Sequence, residues 1–397
     1  MWIAPRQGSD ARWYSQMALS LAAGGDYQNA GLPTAYYPVG YPASLAFCHV
    51  LFGRAETVAR LANALFGLGT LLGIYGVARA LARSRITALL ALLCFVIYPA
   101  DIGFTSVTLS QVLFNTWALL GCALCLGSSA TSLFVGGLLL GCATLTRVQG
   151  VVLWPLMIAV WFTTRTLDRR WSRALWMSLG FVAAVAPWTV RNALAFHAFV
   201  PVATNGGINL YIGNNPRARG HYYYSPKIDA PIAAAIKGPR RGGPNEISVD
   251  RLARHLAWQY ASEHPYEALR LWRAKFDYLY DSDAAFADWS HKLSDERSVA
   301  WVQRMKRLDQ IYYPFLLWLG GLGAIVASLE MARSRSGLWL PALVILAFTG
   351  LHMLTFGDPS YHHPMMPWFA IYTGHGLSAP WRYRTRANWL PRRVDAA

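Results

Sequence analysis

The amino-acid sequence predicts an all-α, polytopic membrane protein: a transmembrane helical bundle of about nine spans, with extracytoplasmic amphipathic helices and one large extracytoplasmic loop region. Of 397 residues, 54% are hydrophobic and only 14% are charged, whereas a soluble domain has about 25% charged residues. The mean hydropathy is +0.26. Several apolar runs are long enough to cross a hydrocarbon core of about 30 Å at about 1.5 Å per residue.

Nine apolar segments predict the spans. They are 57–82, 86–103, 104–126, 131–147, 150–164, 174–190, 311–331, 337–356 and 362–379. Segments such as 86–103 and 150–164 are short, so we expect tilted or incomplete crossings there. The 17 Trp and 20 Tyr residues are consistent with many helix ends at the membrane–water boundary, where aromatic rings concentrate.

Charge is distributed unevenly between the two sides of this bundle. Arginines concentrate in alternate short loops and in the C-terminal tail, and 17 of the 20 acidic residues fall on the other side, all except Asp168, Glu330 and Asp395. Because basic loops remain cytoplasmic, this predicts a multi-pass membrane protein with a cytoplasmic C-terminus. The short cytoplasmic loops, with no visible organelle signal, favour the bacterial inner membrane. The net charge of +16 then faces anionic membrane lipids. No basic stripe with interleaved aromatics accompanies it, which argues against nucleic acid as a partner.

The segments divide the chain into five regions. These are a first extracytoplasmic loop with interfacial helices (1–56), about six transmembrane helices (57–190), a large extracytoplasmic loop (191–310), about three transmembrane helices (311–379) and a basic cytoplasmic tail (380–397).

Both outer regions predict helices that do not span the membrane. In the first, an amphipathic helix over Ala11–Ala23 precedes the motif PTAYYPVGYP, and an apolar helix near 43–52 is too short to cross. In the large loop, two amphipathic helices are separated at Pro265. Apolar residues recur at helical spacing in the second of these, at Leu269, Trp272, Phe276 and Leu279. We expect this face to lie on the membrane or on the core of the loop.

Charged residues at the outer ends of the spans indicate a catalytic site. Asp10 opens the first outer helix, Arg147 ends one span in LTRVQG, and Arg191 follows PWTV at the end of another. Ionisable residues at membrane depth are costly and therefore suggest function. One carboxylate with several cations suits transfer of a group from a lipid phosphate. The carboxylate accepts a proton from the acceptor hydroxyl, and the cations stabilise charge on the departing phosphate.

Polar and aromatic loop motifs on the same side supply candidates for substrate binding. They are the Tyr/Pro-rich loop, the Gly/Asn-rich run 205–215, whose backbone amides suit an anion, and the helix start near 361. The candidate residues are Tyr36, Tyr37, Tyr41, Asn205, Asn214, Tyr361 and His362.

Six segments resemble the membrane-embedded GT-C glycosyltransferases, most nearly the branch with the protein O-mannosyltransferases and the lipid A aminoarabinose transferase. They are GSDARWYSQMALSLAAGG, PTAYYPVGYPASLA, RLANALFGLGTLL, LTRVQGVVL, PWTVRN and TNGGINLYIGNNPRARG. The resemblance covers nearly the whole chain. It implies transfer of a sugar from a polyprenyl-phosphate donor to a lipid, glycan or protein acceptor, with inversion, on the extracytoplasmic face. The Asp of the family's first outer loop, the proposed catalytic base, matches Asp10.

Each candidate also has a structural interpretation. Asp10 follows Gly-Ser at a helix start and also suits an N-cap. Arg147 also suits snorkelling to the interface, and Arg191 also suits the end of a helix. The run 205–215 equally suits a tight turn. Tyr361 and the histidines after it also suit interfacial anchoring, or a metal site.

The sequence departs from the family in two places. Relatives usually carry a second acidic residue at or just after the second outer loop, where this chain has Gln111, with Asp101 ten residues earlier. Either Asp101 takes that role or the second carboxylate is absent, so no cofactor is certain and a divalent metal stays open. Relatives also have a spanning helix before the Asp loop, so we expect one to be missing here, through a misplaced start or truncation.

The sequence thus predicts an integral-membrane glycosyltransferase with Asp10 as base and with Arg147 and Arg191 at the donor phosphate. A transporter or flippase of lipid-linked sugars is the alternative from another class. It should carry ionisable residues in mid-span and two related halves, whereas here they cluster at the outer ends. A truncated, non-catalytic homologue is the third interpretation.

Overall fold

The computed structural model describes residues 10–163, 170–223, 225–236, 241–283, 285–289, 296–331 and 337–382. The helices are α1 (Asp10–Ala22), α2 (Gly40–Phe52), α3 (Glu56–Ala82), α4 (Arg85–Val96), α5 (Pro99–Thr105), α6 (Gln111–Cys125), α7 (Ala130–Thr146), α8 (Leu153–Thr163), α9 (Arg170–Phe196), α10 (Gly206–Gly213), α11 (Pro226–Ala235), α12 (Pro244–Glu263), α13 (Pro265–Tyr280), α14 (Ala285–Trp289), α15 (Glu296–Met331), α16 (Leu340–Leu354) and α17 (Met366–Leu377). Short 3₁₀ turns cover Val148–Val152, Gly337–Trp339 and His363–Met365. Strands β1 (Gln28–Asn29) and β2 (Leu32–Pro33) form an antiparallel hairpin.

The all-α membrane fold is confirmed, and each of the nine predicted segments overlaps a helix. Among the described residues, four helices are long and apolar enough to cross a membrane, namely Glu56–Ala82, Arg170–Phe196, Val299–Met331 and Gly337–Leu354. The pair α4 and α5 bends by 64° and counts as a fifth if it forms one broken span. Four further apolar helices have 10–17 residues. The number nine therefore stays a prediction.

Several predicted boundaries differ from the helices, including the one between residues 190 and 191, which falls inside α9. The segment 86–103 is broken because Pro99 starts the new helix α5, as proline at a first helical position does. The predicted boundary between residues 310 and 311 falls inside α15, which begins at Glu296. Hydropathy drops before Ile311, but helix propensity continues through the polar turns, so the apolar run marks only part of the helix.

Close helix contacts hold the bundle together, with α7 against α9, α3 against α6 and α15 against α17. At the α7–α9 contact, a Cβ on Gly137 would lie 1.9 Å from the carbonyl oxygen of Met177, and one on Gly180 would lie 1.9 Å from that of Phe134. Only glycine permits these backbones to approach so closely. Small residues perform this role in membrane bundles because lipid offers no hydrophobic drive for association.

The predicted outer helices are also present. The amphipathic helix is α1, and the short apolar helix is α2, whose Phe47 and Phe52 are 65% and 71% exposed as expected for an interfacial element. The helices on either side of Pro265 are α12 and α13. Part of the large loop has its own small core, formed by residues of α10, α11 and α12.

Candidate active site

Asp10 lies at the start of α1, and its carboxylate faces the Tyr/Pro-rich loop. Oδ1 accepts a hydrogen bond of 2.6 Å from the Tyr37 hydroxyl. Burial raises the pKa of Asp10, while the Tyr37 hydrogen bond, Arg241 and Arg147 lower it and Asp358 raises it further; the net shift is upward. Loss of solvent disfavours the charged form of a carboxylate. A carboxyl with a raised pKa, held next to cations, is suited to accept a proton.

An aromatic cluster sets the position of Tyr37. The Trp13 ring centroid lies 4.8 Å from that of Tyr37, and the Tyr14 centroid lies 5.5 Å away at a T-shaped angle. Trp13 and Tyr14 lie three and four residues after Asp10 in α1, about one helical turn on, so one helix carries both the carboxylate and the rings that pack its partner. Such aromatic contacts contribute about 0.5–1.5 kcal/mol beyond burial. The local sequence therefore orients the Asp10–Tyr37 pair.

Arg147 is brought to the same place by the packing of α2 on α7. It ends α7 in an extended conformation, and its Nη1 donates to the Ser110 hydroxyl at 3.1 Å. A Cβ on Gly40 would lie 2.7 Å from the carbonyl oxygen of Leu145, so glycine at the start of α2 lets that helix contact the end of α7. The Arg147 guanidinium stacks 5.6 Å from the Tyr361 ring centroid.

Arg241 is a second cation at the site, and the sequence interpretation missed it. Its guanidinium lies 4.1 Å from the ring centroid of Tyr36 and 5.7 Å from that of Tyr37. Burial lowers the pKa of Arg241, but the two tyrosines and Asp10 raise it, with a net upward shift. It belongs to the segment GPRRGGP, which the sequence suggests to be only a turn. The structure gives the adjacent Gly242 a φ of 104°, but the residue types of this segment do not distinguish Arg241 from an ordinary turn arginine.

Glu246 connects the two outer regions that form the site. One carboxylate oxygen accepts from the Ala35 backbone amide at 2.8 Å, and the other accepts from the Gly242 amide at 2.6 Å and the Thr34 hydroxyl at 2.8 Å. The Thr204 hydroxyl donates to the same side chain. Glu246 is only 1% exposed. This buried carboxylate, also missed from the sequence, fixes Arg241 relative to Tyr36 and Tyr37.

Asp358 is a second carboxylate close enough to act on the charge of Asp10. Asp358 raises the pKa of Asp10 through like charge, and it accepts hydrogen bonds from the Ser360 amide and hydroxyl. Asp101 is buried in α5, where Oδ1 lies 3.1 Å from His363 Nε2. The sequence offered Asp101 because it precedes the matching helix. The structure instead gives it a histidine partner.

Arg191 differs from the other two arginines because backbone groups occupy its guanidinium. Nη1 donates to the Thr34 carbonyl at 2.9 Å, and Nη2 donates to the Tyr27 carbonyl at 2.7 Å. The guanidinium also stacks 4.9 Å from the Trp188 ring centroid. These contacts brace the loop that carries Tyr36 and Tyr37, as the structural interpretation of Arg191 expects.

The predicted substrate-binding residues divide into two groups. Tyr36, Tyr37 and Tyr361 lie around Asp10, which raises the pKa of Tyr36 and Tyr37 through its charge, after the larger effect of burial. Tyr41 is fully buried, and its hydroxyl donates to Asn63 Oδ1 at 3.0 Å, which fastens α2 to α3.

The remaining candidates lie elsewhere. Asn205 precedes α10 as its N-cap without a side-chain capping bond. The Asn214 amide donates to Leu354 O at 2.7 Å and accepts from Lys275 Nζ at 3.0 Å, which closes the end of α16. Burial lowers the pKa of Lys275 to about 8. His362 is fully buried; Nε2 lies 2.8 Å from Asp283 Oδ1, and Nδ1 hydrogen bonds the backbone of Leu279.

The arrangement of His, Cys, Asp and Glu side chains bears on the divalent metal that the sequence left open. Within the described ranges, no group of three or more His, Cys, Asp or Glu side chains is arranged to hold a metal ion. Asp10 and Asp358 supply only two carboxylates, and each already accepts hydrogen bonds from its neighbours. The described residues do not form a metal centre, and the divalent metal stays a prediction.

Comparison with solved structures defines the architecture. Archaeal oligosaccharyltransferase AglB from Archaeoglobus fulgidus, in complex with an inhibitory peptide and a dolichol-phosphate, is similar over 100% of this chain and 50% of its own, with a TM-score of 0.55 at 13% identity. The oligosaccharyltransferase from the same organism in complex with Zn and sulfate covers 97% of this chain, again with a TM-score of 0.55 at 13% identity and 47% of its own length. This chain has the GT-C fold.

The resemblance inferred from the sequence is thereby confirmed at the level of fold. The sequence profile of the dolichyl-phosphate-mannose-protein mannosyltransferases matches residues 37–190. ArnT from Cupriavidus metallidurans, bound to undecaprenyl phosphate, is similar over 98% of this chain and 76% of its own, with 16% identity and a TM-score of 0.42. No curated protein matches the sequence. The chain spans about half the length of the AglB structures it matches.

Proposed function

We propose that this protein is a membrane glycosyltransferase that moves a sugar from a polyprenyl-phosphate donor to an acceptor hydroxyl, with inversion at the anomeric carbon. The observation that carries the proposal is the Asp10 carboxylate. It is largely buried, is oriented by the Tyr37 hydroxyl and lies in the field of Arg147 and Arg241. The GT-C fold and the mannosyltransferase profile over residues 37–190 support the same reaction.

In the proposed step, Asp10 removes the proton from the acceptor hydroxyl, and the resulting oxygen attacks the anomeric carbon. The bond between that carbon and the phosphate oxygen breaks, and the electron pair leaves with the phosphate. Because the attack is a single displacement from the face opposite the leaving group, the configuration inverts. The phosphodiester donor has one negative charge and the departing monoester gains a second, so charge grows on the phosphate during the reaction.

Arg147 and Arg241 are the groups we assign to that growing charge. Arg147 lies at the C-terminal end of α7 and Arg241 lies over Tyr36. A preorganised cation in a site with little water stabilises developing charge far more than it would in water. Arg191, which the sequence suggested, is instead held by the carbonyls of Tyr27 and Thr34, so we assign it to positioning the outer loop.

The site is proposed to lie on the extracytoplasmic side of a bacterial inner membrane, with the C-terminus in the cytoplasm. The support is the basic character of the short loops on the other side, which include Arg83 and Arg85 at the α3–α4 turn. Basic loops remain cytoplasmic during insertion. This orientation puts each of the five regions predicted from the sequence on the side of the membrane proposed for it.

Sugar transfer by the purified protein tests the proposal. A polyprenyl-phosphate sugar labelled in the sugar is incubated with the protein and an acceptor alcohol in detergent, and transfer of the label from the lipid to the acceptor is compared between the wild type, Asp10→Asn and Asp26→Asn. Loss of the base is expected to lower turnover by about 10²–10⁴-fold with folding retained. Asp26 is exposed in the same outer region and serves as the matched control. In the protein reconstituted in vesicles, lipid movement between leaflets without sugar transfer would favour the transporter, and full activity of Asp10→Asn in detergent would remove the proposed base.

A further inference from the structure

An apolar groove lies between α12 and α13, away from Asp10. It has a volume of about 230 Å³ and is lined by Ala257, Trp258 and Ala261 of α12 and by Ala268, Leu269 and Trp272 of α13, among others. The alanines leave space where the two helices face each other, and the large side chains stand around it. Trp258, Leu269 and Trp272 are 56%, 63% and 45% exposed. Apolar surface of this kind usually marks a binding or membrane-contact site.

The groove is placed at the end of a membrane-spanning helix. Leu354, the last residue of α16, also lines it and is 42% exposed. The segment Gly337–Leu354 is one of the four helices long and apolar enough to cross a membrane. A groove at this end therefore meets the boundary between lipid and water. Trp258 and Trp272 fit that depth, because tryptophan concentrates at membrane interfaces.

The exposed side of α13 continues the apolar surface beyond the groove. Tyr266 and Phe276 are 74% and 49% exposed and lie on the same side as Leu269 and Trp272. By contrast, Leu279 is fully buried. The face predicted from the sequence is therefore divided: its first three members are exposed, and only the last contacts the protein core.

Two arginines border this apolar side. Arg270 is exposed, and the Arg273 side chain is 90% exposed and lies 3.8 Å from the 65% exposed Asp277 carboxylate. An ion pair so open to solvent is worth little. Both side chains can lay their stems on apolar surface with the guanidinium at the headgroup level. The two guanidinium groups suit a lipid phosphate, which accepts charge-assisted hydrogen bonds from arginine; Glu267 and Asp277 are exposed carboxylates on the same helix.

The polar groups at the base of the groove are already satisfied. The Asn214 amide donates to Leu210 O and Leu354 O, and its oxygen accepts from Lys275. A sugar or nucleotide needs several converging polar partners, which this wall does not offer. A hydrocarbon chain needs none. The volume also falls below the roughly 300–1,000 Å³ of pockets for drug-sized ligands, so a single chain fits better than a bulky headgroup.

We propose that the α12–α13 groove binds an acyl chain of an anionic bilayer phospholipid, whose phosphate lies near Arg270 and Arg273. The bound lipid holds α13 against the membrane, and with it Lys275, which closes the end of α16. The proposal does not depend on the transferase activity.

Photolabelling tests the lipid site in the full-length protein. The protein is reconstituted in vesicles of phosphatidylcholine and phosphatidylglycerol, a fraction of which carries a diazirine in the acyl chain, and labelled peptides are identified by mass spectrometry. Ala261→Trp fills the groove, whereas Ser262→Trp adds the same bulk to the exposed neighbouring position. Labelling of 257–272 is expected in the wild type and in Ser262→Trp, and is expected to drop several-fold in Ala261→Trp. Labelling of the lipid-facing side of α3, with Leu61 and Leu65, should be equal in all three.

The thermal midpoint of each variant checks that Ala261→Trp still folds, and competition gives a second readout that needs no variant. Unlabelled phosphatidylglycerol should reduce labelling of 257–272 more than phosphatidylcholine does, and Arg270→Ala with Arg273→Ala should remove that preference. Labelling of 257–272 that is absent in the wild type, or unchanged in Ala261→Trp, overturns the proposal. Competition by polyprenyl phosphate but not by phosphatidylglycerol also overturns it and assigns the groove to an isoprenoid chain.

Discussion

Asp10 differs in its environment from two other carboxylates of this protein, Asp101 and Asp283. Asp10 contacts a tyrosine hydroxyl and lies in the field of two arginines that hydrogen bond or stack elsewhere. Asp101 and Asp283 are each paired directly with a buried imidazole, at 3.1 Å and 2.8 Å. A directly paired carboxylate holds structure together. Among the residues that the structure describes, Asp10 has no directly paired cation, because the nearby arginines contact other residues. Such a carboxylate is suited to contact a charged substrate.

The Asp283–His362 pair gives the largest expected effect. Both side chains are buried, and His362 lies next in sequence to Tyr361, which stacks with Arg147. Breaking a buried pair leaves one charge or polar group without compensation, at about 3–5 kcal/mol. Asp283→Leu and His362→Leu should each lower the thermal midpoint strongly. The double variant should recover much of that loss, because both polar groups are then removed.

This cycle is measured by thermal unfolding in detergent, with Asp281→Asn, an exposed neighbour, as the control. If either single variant keeps the wild-type midpoint while activity disappears, His362 contacts substrate as the sequence suggested. The pair would then belong with Asp10 rather than with the structural carboxylates.

Arg147→Met and Arg241→Met are the next largest changes, and they act on the rate. Loss of one preorganised donor to a developing anion costs about 10²–10³ in kcat, so each variant should lose activity with little change in stability. Turnover of the polyprenyl-phosphate donor is measured for both, with Arg217→Met as a control on an exposed arginine of the large loop. Wild-type kcat in both variants would place the phosphate elsewhere.

Arg191→Met is expected to show the opposite pattern. It removes two hydrogen bonds to the carbonyls of Thr34 and Tyr27, and a bond from a charged donor is worth about 1.5–3 kcal/mol. We expect faster proteolysis of the first outer loop and a lower thermal midpoint, with kcat of the folded fraction retained. A loss of kcat equal to that of Arg147→Met, with normal stability, would return Arg191 to the donor phosphate.

The sequence predicted the parts of this account that depend on local pattern. Long apolar runs located the helices because burial in lipid requires them, and the motif around Asp10 gave the proposed base together with Tyr37. Arg241, Glu246 and Asp358 were not found. Each is far from Asp10 in the chain and is brought close only by tertiary packing, such as the contacts of Glu246 with the backbone at Ala35 and Gly242.

The same dependence on tertiary packing explains why the structure places several predicted site residues next to other protein groups. A polar residue in a suggestive motif looks the same whether its partner is substrate or protein. Tyr41 donates to Asn63, and Asn214 closes the end of α16. Asp101 faces His363. Each of these partners is more than 20 residues away in sequence and is brought close only by folding. Hydropathy and motif spacing therefore carry no information about the contact.

The smallest expected effect tests the central claim, that Asp10 is the base and that its charged neighbours set its pKa. Burial raises that pKa, Arg241 lowers it and Asp358 raises it, and the base works only when deprotonated. The measurement is the acid limb of kcat/KM against pH for the wild type, Arg241→Met and Asp358→Asn. Loss of the cation should move the limb to higher pH, and loss of the like charge should move it to lower pH, each by about one unit. A limb that stays in place in both variants would show that the titrating base is not Asp10.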